Sequence, residues 1–350
     1  MMKVGGLTAF LLLLRTIPLG GQTPVVGPSV RAFLFGDVQY SETDLDRPAG
    51  FHLGQIVAHA SAILSDRVVF FGELSMTGRD SGYAVEVERA ILRYEVNDAF
   101  KVSAGRYHTP ISYWNTAFHH GVWLQGSVAR PESVRFGSRF VPIHFVGAMV
   151  EGRLPGSPLS YGVGVGNGRA DNIARPGDAG DANGSRAALA SVSLQPSELP
   201  GARLGGSVYF DDVPRDGDTD ADERIVSAHA VWERGALDLI GEYLRVRHAP
   251  GGGNPTTSSD AMFFHAGVRL PGRLSMLTPY VRWERMNIAD ADVVFSGVVS
   301  DYEGILGGIR YDFSDLAAIK AEYRSEELGG AGAQGSLYIQ ASFAVSMFAG

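Results

Sequence analysis

Apolar and polar residues alternate along many short segments of this chain. In the segment RVVFFGELSMT (67–77), the even positions hold Val, Phe, Gly, Leu and Met, whereas Glu73, Ser75 and Thr77 fall on the other face. The segment SLYIQASFAVSMF (336–348) alternates in the same way. Because successive side chains of a β-strand point to opposite faces, this period of two predicts strands rather than helices.

Such segments recur along the chain at a spacing of about twenty residues. No apolar run after the N-terminus reaches the ~18–20 residues that a transmembrane helix needs. The pattern therefore predicts an all-β protein of about sixteen strands. The predicted strands occupy 30–40, 51–64, 67–77, 83–96, 100–108, 141–153, 159–168, 185–195, 202–211, 223–233, 236–248, 260–270, 276–288, 302–313, 316–326 and 336–348.

The connections between these segments are alternately short and long. Tight turns such as SDR (65–67) and ERG (233–235) alternate with polar or Gly-rich loops such as SETDLDRPAG (41–50) and APGGGNPTTSS (249–259). Short turns at one rim and long loops at the other, with an even strand number, are typical of a transmembrane antiparallel β-barrel. A soluble β-sandwich has no reason to separate its loops by length, and no per-blade repeat indicates a propeller.

The strand faces opposite the apolar ones carry many charged side chains. A dry β core would lose several kcal/mol for each charge left unpaired, whereas a water-filled lumen accommodates them. Sixteen strands enclose such a lumen, and closure removes the unpaired strand edges that hydrocarbon does not tolerate. The residues predicted to face the lumen are Asp37, His59, Glu73, Arg89, Arg93, Asp238, Glu242, Arg282, Arg310, Lys320 and Arg324.

The connection 109–140, after the fifth strand, is the longest of all and is rich in aromatic residues. We expect this segment to fold into the barrel, pack its aromatics against the inner wall and narrow the bore. Its excess of arginine over glutamate predicts a modest anion preference, which pairing with Glu73, Glu95 and Glu322 would weaken. The residues predicted to line the constriction are Arg130, Arg135, Arg139, His119 and His120 on the loop and Arg89, Arg93, Arg310 and Arg324 on the wall.

The N-terminus forms a separate element. Its basic start at Lys3, its apolar run GGLTAFLLLL (5–14) and its small residues near Gly20 are typical of a secretory signal peptide. A buried helix is the alternative, but no amphipathic segment follows to pack against it. We therefore predict a signal peptide at 1–22 and a barrel at 23–350.

Charge and composition exclude some functions. The chain has a net charge of −8, which becomes −10 without Lys3 and Arg15, and much of the acidity lies in the loop DDVPRDGDTDADE (211–223). Such a chain lacks the basic face that nucleic acid requires, so no nucleic-acid partner is predicted. No P-loop or dinucleotide fingerprint occurs, so no cofactor is predicted. The absence of Cys excludes a disulfide framework.

A signal peptide, about sixteen strands and a long loop after the fifth strand resemble the trimeric outer-membrane porins of Gram-negative bacteria. The element KVSAGRYHTP (101–110) looks like the Gly–basic–aromatic–x–x–Pro element that leads into the pore loop of porins of the phosphate-selective O/P type. The resemblance implies an outer-membrane homotrimer, in contact with lipid and lipopolysaccharide, for passive diffusion of small hydrophilic or anionic solutes. The lysine-rich ladder of a strongly phosphate-selective pore is absent, so no phosphate-binding residue is carried over.

Two other functions stay open at this point. A barrel hydrolase needs Ser, His and acidic residues on the outer wall or rim, whereas His59, His229 and His265 lie on separate strands and no Gly-x-Ser-x-Gly elbow occurs. An adhesive or structural barrel would have a lumen closed by an inward plug.

The adjacent residues His119 and His120, with His108 nearby, raise the question of a metal site. Adjacent residues seldom bind one ion together, and no Cys or carboxylate cluster accompanies them in the sequence. Loop packing is the favoured interpretation, and no metal ligand is predicted.

Overall fold

The chain forms one closed antiparallel barrel of sixteen strands. This confirms the predicted all-β fold and its strand number. The predicted signal peptide, 1–22, lies outside the residues that the structure describes. The structure is a computed structural model that describes residues 29–45, 49–79, 82–170, 173, 177–215 and 218–349.

Each predicted segment corresponds to one strand, with ends that differ by three residues or fewer. The strands are β1 Ser29–Thr43, β2 Gly50–Ser65, β3 Val68–Arg79, β4 Gly82–Asn97, β5 Phe100–His108, β6 His144–Arg153, β7 Leu159–Asn167, β8 Arg186–Leu194, β9 Ala202–Val213, β10 Ala221–Arg234, β11 Leu237–Pro250, β12 Thr257–Val268, β13 Leu277–Asn287, β14 Tyr302–Ser314, β15 Ala317–Leu328 and β16 Gln334–Ala349.

The barrel closes where β1 pairs with β16, in a register that runs from Val30 opposite Ala349 to Thr43 opposite Ser336. Every other pair joins strands that are neighbours in the chain. The sheet therefore has no free edge. This is the condition under which β-strands can span the hydrocarbon core of a membrane.

The two rims differ in loop length, as predicted. The connections after β2, β4, β6, β8, β10, β12 and β14 form the short-turn rim, and those after the odd-numbered strands form the long-loop rim. The connection after β3 is an exception on the long-loop rim, because β3 ends at Arg79 and β4 begins at Gly82. The longest connection leaves β5 at His108 and reaches β6 at His144, so it starts and ends at the long-loop rim.

The outer face of the wall is apolar and the inner face carries the charges. Val163, Val165 and Phe264 are exposed on the outside, whereas Glu73 and Lys320 are buried on the inside. This alternation of lipid-facing and lumen-facing residues is that of a transmembrane barrel. The predicted assignment of the strand faces is confirmed for Phe264, Glu73 and Lys320.

Helical structure in the described residues is limited to short turns. An α-helix, α1, spans Tyr113–Ala117, and 3-10 turns span Glu132–Val134 and Gly272–Leu274. None of the helices among the described residues has the length and apolar character needed to span a bilayer.

The face assignment predicts opposite results for one substitution at two neighbouring sites. Val163, at the centre of β7, faces outward, whereas Ser191 on β8 faces a cavity inside the barrel. We expect Val163→Arg to lower the free energy of unfolding by about 2–4 kcal/mol, because the charge would lie in hydrocarbon. Ser191→Arg should have a much smaller effect. Urea titration of the protein folded in lipid vesicles measures both, and equal losses would contradict the assignment.

Candidate functional site: the constriction loop

The loop between β5 and β6, residues 109–143, folds inward and crosses the lumen. We call it the constriction loop. Its helix α1 begins after Ser112, whose side-chain oxygen accepts a hydrogen bond from the Asn115 backbone N–H at 3.2 Å. The Asn115 side-chain amide donates to the carbonyls of Thr109 and Ile143, at 3.0 and 3.1 Å. Asn115 therefore ties together the two ends of the loop where they leave the wall.

Apolar side chains of the loop pack against an apolar part of the inner wall. Trp114 is fully buried and meets Phe263 of β12 edge to face, with ring centroids 5.6 Å apart. The inward packing of loop aromatics is as predicted, but the part of the wall that they contact is apolar and not exposed to a water-filled lumen. The reason is that β9 to β12 are covered by the loop and need no water there. The buried wall residues of this region are Tyr209, Ile225, Leu244, Val246 and Phe263.

Three wall carboxylates accept hydrogen bonds from backbone N–H groups of the loop. Glu242 of β11 accepts from Tyr113 at 3.0 Å. Glu322 of β15 accepts from Val128 at 2.9 Å. Glu284 of β13 accepts from the backbone of Glu132 at 2.7 Å. Buried backbone donors need partners, and charged acceptors provide the stronger bonds.

Wall cations hold the loop through its carbonyl groups. Arg282 of β13 is fully buried and donates to Ser127 Oγ at 2.7 Å and to the Ala129 carbonyl at 2.8 Å. Arg310 of β14 donates to the carbonyl of Trp123 at 2.6 Å. Lys320 Nζ of β15 donates to the carbonyl of Ser127 at 3.2 Å. The loop is thus fixed to the wall opposite its origin by bonds of both charge signs.

The predicted wall arginines of the constriction are paired with carboxylates. Arg89 contacts Glu73 at 2.5 Å, Arg93 contacts Glu95 at 2.9 Å, and Arg324 contacts Glu322 at 2.5 Å. The fourth, Arg310, contacts Asp312 at 2.7 Å in addition to the loop. Glu73, Glu95 and Glu322 are the glutamates that the sequence analysis named as partners. Their pairing with arginine reduces the positive electrostatic potential of the wall.

The structure places the three loop arginines in different environments. Arg130 is buried within the loop and donates to the carbonyls of His119 and Val134 and to Asn115 Oδ1.

Arg135 contacts Glu132 at 2.8 Å, and its side chain remains 46% exposed. Arg139 is half-buried, and its carbonyl accepts a hydrogen bond from Arg169 at 2.7 Å. Arg130 therefore organises the loop from inside, whereas Arg135 and Arg139 reach its surface.

Cavities lie on both sides of the constriction loop. One of about 720 Å³ is lined by Trp123 and Leu124 of the loop and by residues of the short-turn rim such as Arg234. A second, of about 380 Å³, lies beside Tyr113 on the same side. A third, of about 460 Å³, opens toward the long-loop rim beside Phe136. Cavities therefore lie on both faces of the loop, and we call the spaces on its two sides the vestibules.

Other loops of the long-loop rim cover the constriction loop from above. Arg169, fully buried, donates to the carbonyl of Phe140 at 2.9 Å and contacts Glu223 at 2.9 Å. Phe295, from the loop after β13, stacks on Phe140 with centroids 5.6 Å apart. Sequence reasoning did not single out Arg169 or Phe295, because their loops show no period that would direct them inward.

Four histidines converge where the constriction loop meets β4, β5 and β6. His108, His119, His120 and His144 each offer one ring nitrogen, and these four atoms lie within 4.8 Å of one another. Burial lowers the pKa of His119 well below its usual range. We call these four residues the histidine cluster.

Glu88 of β4 completes the surroundings of the histidine cluster, with Oε2 2.8 Å from His144 Nε2 and 3.2 Å from His120 Nε2. The sequence drew attention to His108, His119 and His120 but missed His144 and Glu88. His144 lies opposite His108 in the pairing of β5 with β6. This proximity could be recognised only once the register of the two strands was known.

Comparison with known proteins extends the description of the fold. No protein-family model matches the chain, and no curated protein matches it. The anion-selective porin from Comamonas acidovorans is 12% identical, with a TM-score of 0.67, over 91% of this chain and 100% of that one. The outer membrane channel DcaP of Acinetobacter baumannii is 12% identical, with a TM-score of 0.62, over 93% and 100%. The fold is that of outer-membrane porins.

A further structure of similar fold is OmpT, an outer membrane protein of Vibrio cholerae, in a trimer form. It is 14% identical, with a TM-score of 0.62, over 91% of this chain and 100% of that one. Identities this low indicate a shared fold alone. The phosphate-selective type suggested by the sequence element 101–110 finds no specific support among these structures.

The anchoring of the constriction loop in this porin-type barrel predicts the effect of removing Arg282. Arg282→Ala leaves buried loop carbonyls and Glu284 without their partner, at a cost of about 1–3 kcal/mol for each unsatisfied group. We expect trypsin to cut after Arg135 or Arg139 in this variant faster than in the wild type. Arg285→Ala, on the outward face of the same strand, is the matched control. Equal cleavage of both variants would contradict the anchoring role.

Proposed function

We propose that the chain is an outer-membrane channel for passive diffusion of small hydrophilic solutes. The observation that carries the proposal is the constriction loop, which lies across a polar lumen with cavities on both sides. A loop in this position sets a size limit without any moving part or chemical step. The outward apolar wall supports a location in the membrane.

We propose the outer membrane as the location of the protein and lipid, lipopolysaccharide and two further copies of the chain as its partners. The barrel wall suits lipid, and the long-loop rim would face lipopolysaccharide in the outer membrane. A homotrimer is proposed by analogy, since the Vibrio cholerae protein of similar fold was solved in a trimer form.

We further propose a weak preference for anions. In support, Arg135 and Arg139 reach the loop surface on the side of the long-loop rim, although Glu132 offsets the first of them. The wall arginines contribute less, because each has a carboxylate partner. A local net charge at a narrow, low-dielectric zone acts more strongly than distant charge, which salt screens beyond about 8 Å.

The alternatives differ in what they require of the barrel. A hydrolase needs Ser, His and acidic residues on the outer wall or rim, yet the three strand histidines considered for it occupy lumen-facing positions: His59, His229 and His265. An adhesive barrel needs a lumen sealed at the loop. The two vestibules favour the channel over both.

Purified protein in a planar lipid bilayer should give discrete, ohmic conductance steps. The reason is that an aqueous path past the loop needs no gating energy. A β-dominated circular dichroism spectrum would show that the protein is folded. If such protein gives no conductance at any voltage, the result contradicts the channel and favours the adhesive or hydrolase alternative.

The proposed selectivity predicts a change in the zero-current potential in a salt gradient. We expect Arg135→Glu with Arg139→Glu to move this potential toward cation preference. Arg67→Glu with Arg273→Glu is the matched control, because it changes the net charge equally at exposed turns of the short-turn rim. That control should leave the potential close to the wild-type value at ~0.15 M salt. If both pairs behave alike, the constriction loop does not determine selectivity.

A further inference from the structure

The histidine cluster has a geometry that ordinary packing does not explain. The Nε2 atoms of all four histidines and Oε2 of Glu88 are buried, and none forms a hydrogen bond of good geometry, although Oε2 lies 2.8 Å from His144 Nε2 and 3.2 Å from His120 Nε2. Buried polar atoms in proteins are nearly always hydrogen-bonded, so five of them in one place call for a specific reason. Their separations are short enough for one small ligand to contact several of them.

Neighbouring amides set the orientation of two of the rings. The Asn115 amide nitrogen donates to two carbonyls, so its Oδ1, 2.8 Å from His119 Nδ1, is an acceptor and Nδ1 carries the proton. The Gln55 amide nitrogen donates to Thr77 Oγ1 at 3.1 Å. Gln55 Oε1 is therefore an acceptor, and His120 Nδ1, which lies 3.0 Å from it, carries the proton of that ring.

In the neutral ring, a proton on Nδ1 leaves a lone pair on Nε2. The Nε2 atoms of His119 and His120 both face Glu88 Oε2, at 4.0 and 3.2 Å. Metal-binding histidines commonly donate their other ring N–H to an oxygen acceptor, which fixes the tautomer and aims the lone pair at the ion. The arrangement around these two rings matches that pattern.

Glu88 is oriented in a comparable manner. Its Oε1 accepts a hydrogen bond from Ser75, which directs Oε2 toward the rings of His120 and His144. A buried carboxylate is costly unless a positive charge compensates it. A divalent cation at this point would neutralise Glu88 and provide a partner for the histidine nitrogens at once.

We propose that the histidine cluster binds one divalent transition-metal ion of the zinc type through its ring nitrogens and the Glu88 carboxylate. Imidazole nitrogen with a carboxylate oxygen suits Zn²⁺, Ni²⁺, Cu²⁺ or Fe²⁺ rather than Ca²⁺ or Mg²⁺, which take oxygen ligands. Two nitrogens on one tetrahedral zinc lie about 3.4 Å apart, so the widest separation in the cluster, up to 4.8 Å, shortens by more than about 1 Å when the ion binds.

The position of the site indicates its role. His108 ends β5, His144 begins β6, Glu88 belongs to β4, and His119 with His120 lies on the constriction loop. A bound ion joins the loop to the wall at the point where the loop leaves it. Glu88 and His144 also line the cavity of about 460 Å³ below the long-loop rim, which gives the ion a path of entry. The site does not depend on whether the chain conducts.

Metal analysis of the wild-type protein tests the site directly. Protein folded without a histidine tag is treated with EDTA, dialysed against Zn²⁺ and analysed for bound metal, and a parallel sample is titrated with Co²⁺. We expect about one zinc per chain, and visible absorption bands of Co²⁺ that saturate at about one equivalent. Wild-type protein that takes up no zinc and shows no cobalt bands would overturn the proposal without any variant.

Variants separate a metal site from a hydrogen-bonded cluster that shares protons. Glu88→Gln and His144→Gln should each lose the tightly bound zinc. His229→Gln is the matched control, since His229 is another lumen-facing histidine with both ring nitrogens buried and unpartnered. Gln55→Ala, which removes only the acceptor for His120, should weaken zinc binding by about 10–100-fold.

Circular dichroism and heat-modifiable gel migration identify variants that have not folded, and the cobalt titration of the wild type decides the question if the cluster variants fail. Zinc retained in His144→Gln and in Glu88→Gln, or lost equally in His229→Gln, would also overturn the site.

Discussion

Closure of the strand ladder is the constraint on which the rest of this structure depends. Hydrocarbon satisfies no backbone N–H or C=O group, so the chain crosses the membrane only if β1 pairs with β16. Sixteen strands then enclose a space too wide for wall side chains to fill. The constriction loop occupies the middle of that space, and it does so with backbone whose own polar groups must be satisfied.

The wall supplies those partners from strands far from the origin of the loop. Alternate strands β11, β13 and β15 contribute Glu242, Glu284 and Glu322 as acceptors for loop N–H groups. Arg282 and Lys320 supply donors for loop carbonyls from the same region. Buried charges of both signs therefore serve as hydrogen-bonding groups for an irregular segment. Their value lies in fixing one loop conformation, since a loop held only by apolar contacts could slide along the wall.

The sequence predicted the barrel better than the loop, for a physical reason. Strand period, turn length and face polarity are local properties, and they yielded sixteen strands with ends within three residues of those observed. The inward course of 109–140 was also predicted, because its aromatics and length left few other places for it.

Which wall residues meet the loop depends on contacts between segments more than a hundred positions apart, such as Val128 with Glu322. Glu88 and His144 were missed for the same reason.

The positions of the arginines show why loop composition is a poor guide to the electric field of the pore. The loop has an excess of arginine, yet the guanidinium of Arg130 is buried and donates its hydrogen bonds to carbonyls inside the loop and to Asn115. The wall arginines meet the carboxylates that also accept from the loop or from its neighbours, as Glu322 does with Arg324 and Val128. The groups that position the constriction thus also cancel most of its charge. The proposed anion preference therefore rests on the few cations at the loop surface and on pairing geometry rather than on net charge.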